Sequence, residues 1–91
     1  MARLEIYTKS WCPYCGFAKA FLDDKNIPFR EIDVTSDHLL EREMRERSGR
    51  SAVPQIFIGD QHIGGCNDLV TAERAGLLAE LLQAIDKEGM S

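Results

Sequence analysis

The sequence predicts an α/β fold, a four-stranded mixed sheet flanked by helices with the element order β-α-β-α-β-β-α. Short runs of alternating polarity, typical of strands, are interleaved with stretches whose apolar residues recur at helical spacing. Two strand–helix units open the chain, and such units normally give parallel strands joined by right-handed crossovers. A two-residue turn late in the chain predicts a hairpin, which adds antiparallel pairing.

The first half of the chain supplies two strands and two helices. Leu4–Thr8 alternate between apolar and polar residues and predict the first strand. A helix is expected to begin at Pro13, because proline fits the first helical turn, where its missing N–H costs little. Residues 28–34 predict the second strand. Residues 35–37 offer a cap for the next helix, and Ser48-Gly49 predict its end.

The hairpin and a final helix make up the second half. Gln55–Ile58 predict the third strand and residues 61–63 a short fourth strand. Gly59-Asp60 between them suit a type II′ turn, which places glycine first. The final helix has an apolar face, a predicted cap at Asn67 or Asp68, and a predicted break near residue 76.

The length and charge of the chain bound its function. Its 91 residues predict a single domain over residues 1–91. With 15 acidic and 11 basic residues, the formal charge of −4 argues against a general nucleic-acid binder. No apolar run approaches the ~18–20 residues of a membrane span, and no signal-peptide core precedes the first strand. We therefore expect a cytoplasmic protein with no membrane or nucleic-acid partner.

The chemistry centres on Cys12-Pro13-Tyr14-Cys15, between the first strand and the first helix. The partial positive charge of the N–H groups in the first helical turn favours a thiolate at Cys12, as would contact with Lys9. A thiolate is the nucleophile in disulfide exchange. Cys15, one turn further on, is expected to be more covered. We therefore assign Cys12 as the attacking thiol and Cys15 as the resolving thiol.

A metal site is the main alternative at the same residues. Cys12, Cys15, His62 and Cys66 supply the ligand types of a structural zinc site. The first pair, however, is held at a helix start by Pro13, and His62 stands alone on a strand. Redox chemistry is therefore preferred, and no bound metal or cofactor is expected.

Five short motifs along the chain point to one family. They are Ile6-Tyr7-Thr8-Lys9, Cys12-Pro13-Tyr14-Cys15, Arg47-Ser48-Gly49-Arg50, Val53-Pro54-Gln55-Ile56-Phe57-Ile58 and Gly64-Gly65-Cys66-Asn67-Asp68-Leu69. With these motifs the sequence resembles the glutaredoxin family over nearly its whole length, and in particular its short bacterial dithiol members. The resemblance implies a thioredoxin fold, with glutathione as co-substrate and reducing partner. It also implies reduction of protein disulfides and glutathione mixed disulfides, with ribonucleotide reductase as one candidate acceptor, and we expect a monomer.

The charges of glutathione suggest partners at both ends of the tripeptide. Lys9 can pair with one carboxylate. The N–H groups of Asn67 and Asp68, at a helix start, suit the second carboxylate. The Asp68 side chain can hold the ammonium, and Tyr14 can pack along the ligand.

The middle of glutathione resembles a backbone and calls for a backbone partner. In this family the proline at Pro54 is cis, and the Val53 backbone could pair with the glutathione cysteinyl unit as a short added strand. Two features depart from the family pattern, since Ala52 replaces the usual Thr and Asn67 stands where an acidic residue or Ser is frequent. For Cys66, a packing role or an additional disulfide under oxidation are both open, and no required role in turnover is predicted.

Two further alternatives concern the partner rather than the fold. Glutaredoxin relatives can hold an iron–sulfur cluster between two subunits through the N-terminal cysteine and glutathione, usually where the second cysteine or the proline is missing. Both Cys15 and Pro13 are present here. Recharging by thioredoxin reductase instead of glutathione is the other alternative. Lys9, Gly64-Gly65 and Asp68 argue against it, because they suit glutathione.

Overall fold

A computed structural model describes residues 3–89, with side chains described through residue 84. The four strands are β1 (Leu4–Thr8), β2 (Phe29–Asp33), β3 (Gln55–Ile58) and β4 (Gln61–Gly64). The four helices are α1 (Pro13–Asp24), α2 (His38–Ser48), α3 (Cys66–Arg74) and α4 (Leu77–Gly89). None of the described helices is long and apolar enough to span a membrane.

The strands form one mixed sheet in the order β2-β1-β3-β4, which confirms the predicted fold class. β1 and β2 are parallel, whereas β1–β3 and β3–β4 are antiparallel. Because β1 and β3 run in opposite directions, the end of β1 lies beside the start of β3, with Tyr7 paired to Gln55. This pairing brings the Cys-x-x-Cys loop, which follows β1, next to the segment that precedes β3.

The two faces of the sheet carry separate apolar clusters, because successive side chains of a strand point to opposite faces. Ile6 and Ile58 contribute to the face covered by α1, α3 and α4, where Ala18, Leu22 and Leu69 are buried. Tyr7 and Phe57 contribute to the opposite face, where Met44 of α2 packs. α1 and α3 therefore lie on the same side of the sheet, and their first turns approach each other.

Several element boundaries differ from the prediction. β2 is shorter than residues 28–34, while β4 extends one residue further to Gly64. The predicted break in the last helix near Gly76 is confirmed, since α3 and α4 are separate helices and the φ of 77° at Gly76 favours glycine. The N-cap residue of α3 is Gly65 rather than Asn67 or Asp68, and Asp68 contributes to the cap from the third helical position by accepting the Gly65 N–H. Between β3 and β4, only Gly59 has positive φ, in agreement with the type II′ turn.

Candidate active site

Cys12 stands at the N-cap of α1, half-buried, where the loop after β1 turns into the helix. Its Sγ accepts a hydrogen bond from the N–H of Cys15 at 3.2 Å, as the sequence argument expected. The backbone carbonyl of Val53 lies 3.6 Å from the same sulfur and can accept its thiol proton. The sulfur therefore contacts both the start of a helix and the segment before β3, and it is only partly exposed.

Cys15 lies within the first turn of α1 and is only 1% exposed. Burial and the hydrogen bond to Cys12 raise the pKa of Cys15 to about 12. Two groups oppose this effect, the backbone N–H of Lys9 and the charge of Lys19. The two cysteines thus differ as predicted, since Cys12 can reach a partner and Cys15 can reach only Cys12.

A groove with a volume of about 270 Å³ opens beside Cys12. Five of the six residues predicted to bind glutathione line it, and Lys9 does not. The peptide bond between Val53 and Pro54 is cis, as the resemblance implies. The groove is lined by Tyr14, Arg50, Ala52, Val53, Pro54, Gln55, Gly65, Cys66, Asn67 and Asp68.

The start of α3 forms one wall of the groove. Asp68 caps the helix from inside, because its Oδ2 accepts the N–H of Gly65 at 2.9 Å. The same oxygen lies 3.4 Å from the guanidinium of Arg50. Gly64 has a φ of 122°, and a Cβ on this residue would collide with the Asp68 carboxylate. Gly64 is therefore required for this position of Asp68.

Lys9 points to α2 and away from the groove. Its Nζ lies 2.8 Å from Glu41 Oε2, and the Lys9 ammonium holds the pKa of Glu41 below its usual value. The same ammonium lies 5.6 Å from the centre of the exposed Trp11 ring. To bind a glutathione carboxylate as predicted, Lys9 must break its ion pair with Glu41 and turn toward the groove.

The residues of the alternative zinc site have other partners. Nε2 of His62 is 2.7 Å from Gln55 Oε1, and its ring stacks on Phe57. Burial lowers the pKa of His62, and the charge of Arg50 acts in the same direction. Within the described part of the chain, no three His, Cys, Asp or Glu side chains are arranged to hold a metal ion. The zinc ligands considered from the sequence are therefore not assembled.

Sequence reasoning missed two contributors to this region, Gln55 and Glu41, and left Arg50 open between a carboxylate partner and a solvated charge. Gln55 lines the groove although it reads as an ordinary strand residue, and it is fixed by a bond from its Nε2 to the carbonyl of Ala52. Arg50 reaches the groove from the loop after α2, where no local signal separates it from a solvated charge. Glu41 pairs with Lys9 only because α2 packs beside the active-site loop.

Cys66 is the first residue of α3 and also lines the groove, half-buried. Burial raises the pKa of Cys66, and the neighbouring Cys12 adds to the rise. Cys66 also packs against the apolar cluster beneath α1 and α3. These contacts agree with a packing role, and no disulfide joins it to another cysteine.

Comparison with known proteins places this site in a family. The sequence model of the glutaredoxin family matches residues 4–63. The chain belongs to the glutaredoxin family. Its relatives in that family are thiol–disulfide oxidoreductases, which agrees with a paired attacking and resolving thiol.

The relatives cover the chain almost completely. Over 83 residues the chain is 51% identical to glutaredoxin 3 of Escherichia coli strain K12, which covers 91% of this chain and 100% of the relative. The solution structure of glutaredoxin from Brucella melitensis matches with a TM-score of 0.76 and 51% identity, covering 90% of this chain and 89% of that one. A crystal structure of a buckwheat glutaredoxin–glutathione complex matches with a TM-score of 0.79 and 27% identity. The match covers 90% of this chain and 77% of the buckwheat chain.

Proposed function

We propose that the chain is a glutathione-dependent thiol–disulfide oxidoreductase that reduces protein disulfides and glutathione mixed disulfides. The observation that carries this proposal is the position of Cys12 Sγ, within 3.6 Å of the Val53 carbonyl at the edge of the groove. A tripeptide lying along the groove can thus place its sulfur next to Cys12. The buckwheat relative solved with glutathione supports the same ligand here.

The groove offers a partner for each part of glutathione. Val53 precedes the first residue of β3, so its backbone can pair with the cysteinyl unit as a short added strand. The N–H groups at the start of α3, including that of Asn67, suit a carboxylate. Asp68 uses Oδ2 for Gly65 and Arg50, and we assign its Oδ1 to the ammonium. Lys9 and Tyr14 are assigned to the second carboxylate and the apolar edge of the ligand.

The reaction transfers two electrons from the dithiol to the target disulfide. The Cys12 thiolate attacks one target sulfur, forms a mixed disulfide and releases the other sulfur as a thiolate. Cys15 then loses its proton to solvent and attacks Cys12 Sγ, which forms the Cys12–Cys15 disulfide and releases the second target thiolate. Two glutathione molecules restore the dithiol and leave as glutathione disulfide. Ribonucleotide reductase as a target, a monomeric state and a cytoplasmic location are further parts of the proposal.

The two cysteines provide the decisive test. Cys12→Ser is expected to abolish both the reduction of a protein disulfide and the turnover of a glutathione mixed disulfide. Cys15→Ser is expected to lose the first activity and keep the second, because Cys12 alone can accept glutathione and pass it to a second glutathione. Both are measured as NADPH consumption coupled to glutathione reductase.

Cys66→Ser is the matched comparison, and it should keep both activities because neither step uses that sulfur. Equal losses in Cys12→Ser and Cys15→Ser would contradict the assigned roles. Activity with thioredoxin reductase alone, in the absence of glutathione, would contradict glutathione as the reducing partner. Iron or zinc found in the purified protein by elemental analysis would favour the metal-binding alternative instead.

A further inference from the structure

A charged cluster lies beside the dithiol, on the side away from the groove. Lys19 of α1 is 3.0 Å from Glu31 Oε2, a carboxylate oxygen on β2. The same oxygen accepts a hydrogen bond of 2.7 Å from the hydroxyl of Thr8, which is buried at the end of β1. These three residues link α1 to the two neighbouring strands, and the chemistry derived above does not use them.

Lys19 follows Cys15 by four residues in α1, so the two side chains lie one helical turn apart on the same face. Residues at this spacing have Cβ atoms about 5–6 Å apart. Cys15 is buried against the sheet, whereas the Lys19 side chain remains one-third exposed. The ion pair with Glu31 therefore holds a positive charge one helical turn from the buried resolving thiol.

A nearby positive charge favours the resolving step, because Cys15 must ionise before it attacks Cys12. Its thiol must lose a proton before it can attack Cys12 Sγ, and a buried thiol ionises with difficulty. Burial and the hydrogen bond to Cys12 raise the pKa of Cys15 to about 12 in the free dithiol, against the opposing effects of the Lys9 N–H and the Lys19 ammonium. Glu31 raises the pKa of Lys19 through their hydrogen bond, and the same bond holds the ammonium in place.

We propose that Lys19 is a positioning residue for the resolving step, its ammonium held by Glu31 so that it stabilises the Cys15 thiolate during attack on Cys12. This proposal rests on the dithiol mechanism given above and names a residue that acts in only one of its steps. In that step the Cys15 proton goes to solvent, the Cys15–Cys12 bond forms, and the target sulfur leaves Cys12 with the electron pair.

The other charged and titratable groups around Cys15 do not replace Lys19. Cys12 faces it across the first helical turn, and its charge opposes ionisation of Cys15. Glu31 and Asp33 of β2 are anionic and act on Lys19. On α3, Cys66 neighbours Cys12, and Glu73 pairs with Lys25 at the far end of α1.

The test separates the two steps with a chromogenic disulfide, 5,5′-dithiobis(2-nitrobenzoate), added in one equivalent to the reduced protein. Attack by Cys12 releases the first thionitrobenzoate, and attack by Cys15 releases the second. Lys19→Met is compared with wild type by stopped flow from pH 6 to pH 9, with Lys19→Arg as the charge-retaining variant. Cys15→Ser identifies the first phase, because it cannot produce the second.

We expect Lys19→Met to slow the second phase about threefold across pH 6–9, which displaces its rising pH profile upward by about half a unit. A rise of one unit in the pKa of Cys15 would reduce the thiolate about tenfold, and the greater nucleophilicity of the more basic sulfur would offset about threefold of this. Lys19→Arg should retain most of the wild-type rate. Lys25→Met removes the same charge ten residues after Cys15 and should leave both phases as they are in wild type.

An unchanged second phase in Lys19→Met would overturn the proposal. So would an equal slowing by Lys19→Met and Lys19→Arg, because that result indicates packing rather than charge. The readout involves no glutathione, so a chain that failed to turn over glutathione mixed disulfides but showed the Lys19 effect would contradict only the proposed partner.

Discussion

Two cysteines three residues apart have different chemistry because their surroundings differ. Cys12 occupies the N-cap, where its sulfur meets the N–H of Cys15 and remains half-buried. Cys15 is almost completely covered, and its pKa of about 12 reflects that burial first. An incoming disulfide can therefore reach Cys12 alone, and Cys15 becomes useful once Cys12 carries the mixed disulfide.

Glu31 provides a prediction about pH at the same scale. The hydrogen bond from Thr8 and the contact with Lys19 hold the pKa of Glu31 below its usual 4.5. A carboxyl group whose pKa falls on folding stabilises the fold above its unfolded-state pKa, and this contribution is lost as the pH falls through the folded-state value. Glu31→Gln should therefore lower the free energy of unfolding at pH 7 by about 0.5 kcal/mol, a small value because the side chain is partly solvated.

The measurement is urea denaturation of wild type and Glu31→Gln from pH 7 down to pH 3. The difference between them should shrink below about pH 4.5, where the wild-type carboxyl becomes neutral like the amide. A difference that grew at acidic pH would have the wrong sign for a lowered pKa.

At the scale of elements, the start of α3 depends on its neighbouring glycines and Asp68. Gly65 is the N-cap but has no side chain to accept a bond, and Asp68 supplies the reciprocal bond to the Gly65 N–H. Gly64 brings the chain close to that carboxylate with a φ of 122°. The cap and one wall of the groove are thus a single local structure.

Gly64→Ala and Gly16→Ala should act in opposite directions. Gly64→Ala introduces a Cβ where φ is positive and where the Asp68 carboxylate lies, so it should lower the free energy of unfolding by about 1–3 kcal/mol. It should also raise KM for a glutathione mixed disulfide several-fold, because Asp68 must move.

Gly16 is the matched control, since it lies in α1 with nothing within 4 Å of an added Cβ. Gly16→Ala should raise the free energy of unfolding by about 0.5–1 kcal/mol, the usual gain for alanine in a helix. Thermal or urea denaturation measures both changes. A Gly64→Ala protein with wild-type stability and KM would contradict the assigned role of Gly64.

At the scale of the whole molecule, Arg47 joins α2 to the sheet and to the hairpin turn. It donates hydrogen bonds to Glu5 Oε1 at 3.2 Å, to the Tyr7 hydroxyl at 2.8 Å and to the Gly59 carbonyl at 3.1 Å. Its guanidinium also lies 4.0 Å from the centre of the Phe57 ring. One side chain therefore connects elements that are far apart in sequence.

Arg47→Met keeps an apolar side chain of similar length but loses these bonds. We expect it to lower the free energy of unfolding by about 1–2 kcal/mol, because several charge-assisted bonds are lost at a partly exposed site. Arg42→Met on the same helix removes an exposed arginine paired with Glu46, and it should change stability by less than about 0.5 kcal/mol. Equal effects of the two substitutions in urea denaturation would contradict the connecting role of Arg47.

The predicted elements and the observed ones agree where local signals are strong. β1 and β3 have the predicted bounds, and α1 begins at Pro13 as expected. The cap of α3 was predicted at Asn67 or Asp68 because these side chains are good caps. In the structure Gly65 is the N-cap residue, and the Asp68 side chain bonds back to its N–H. The positive φ of Gly64 brings the chain close to that carboxylate.

The sequence by itself determined the order of elements, the dithiol at a helix start and the family to which the chain belongs. These features are local, since they depend on alternation, helical spacing and short motifs. Tertiary structure decided that Lys9 pairs with Glu41, that Gln55 and Arg50 enter the groove, and that Lys19 of α1 pairs with Glu31 of β2. Each of these contacts joins separate elements, and only the packing of helices on the sheet sets which of their side chains meet.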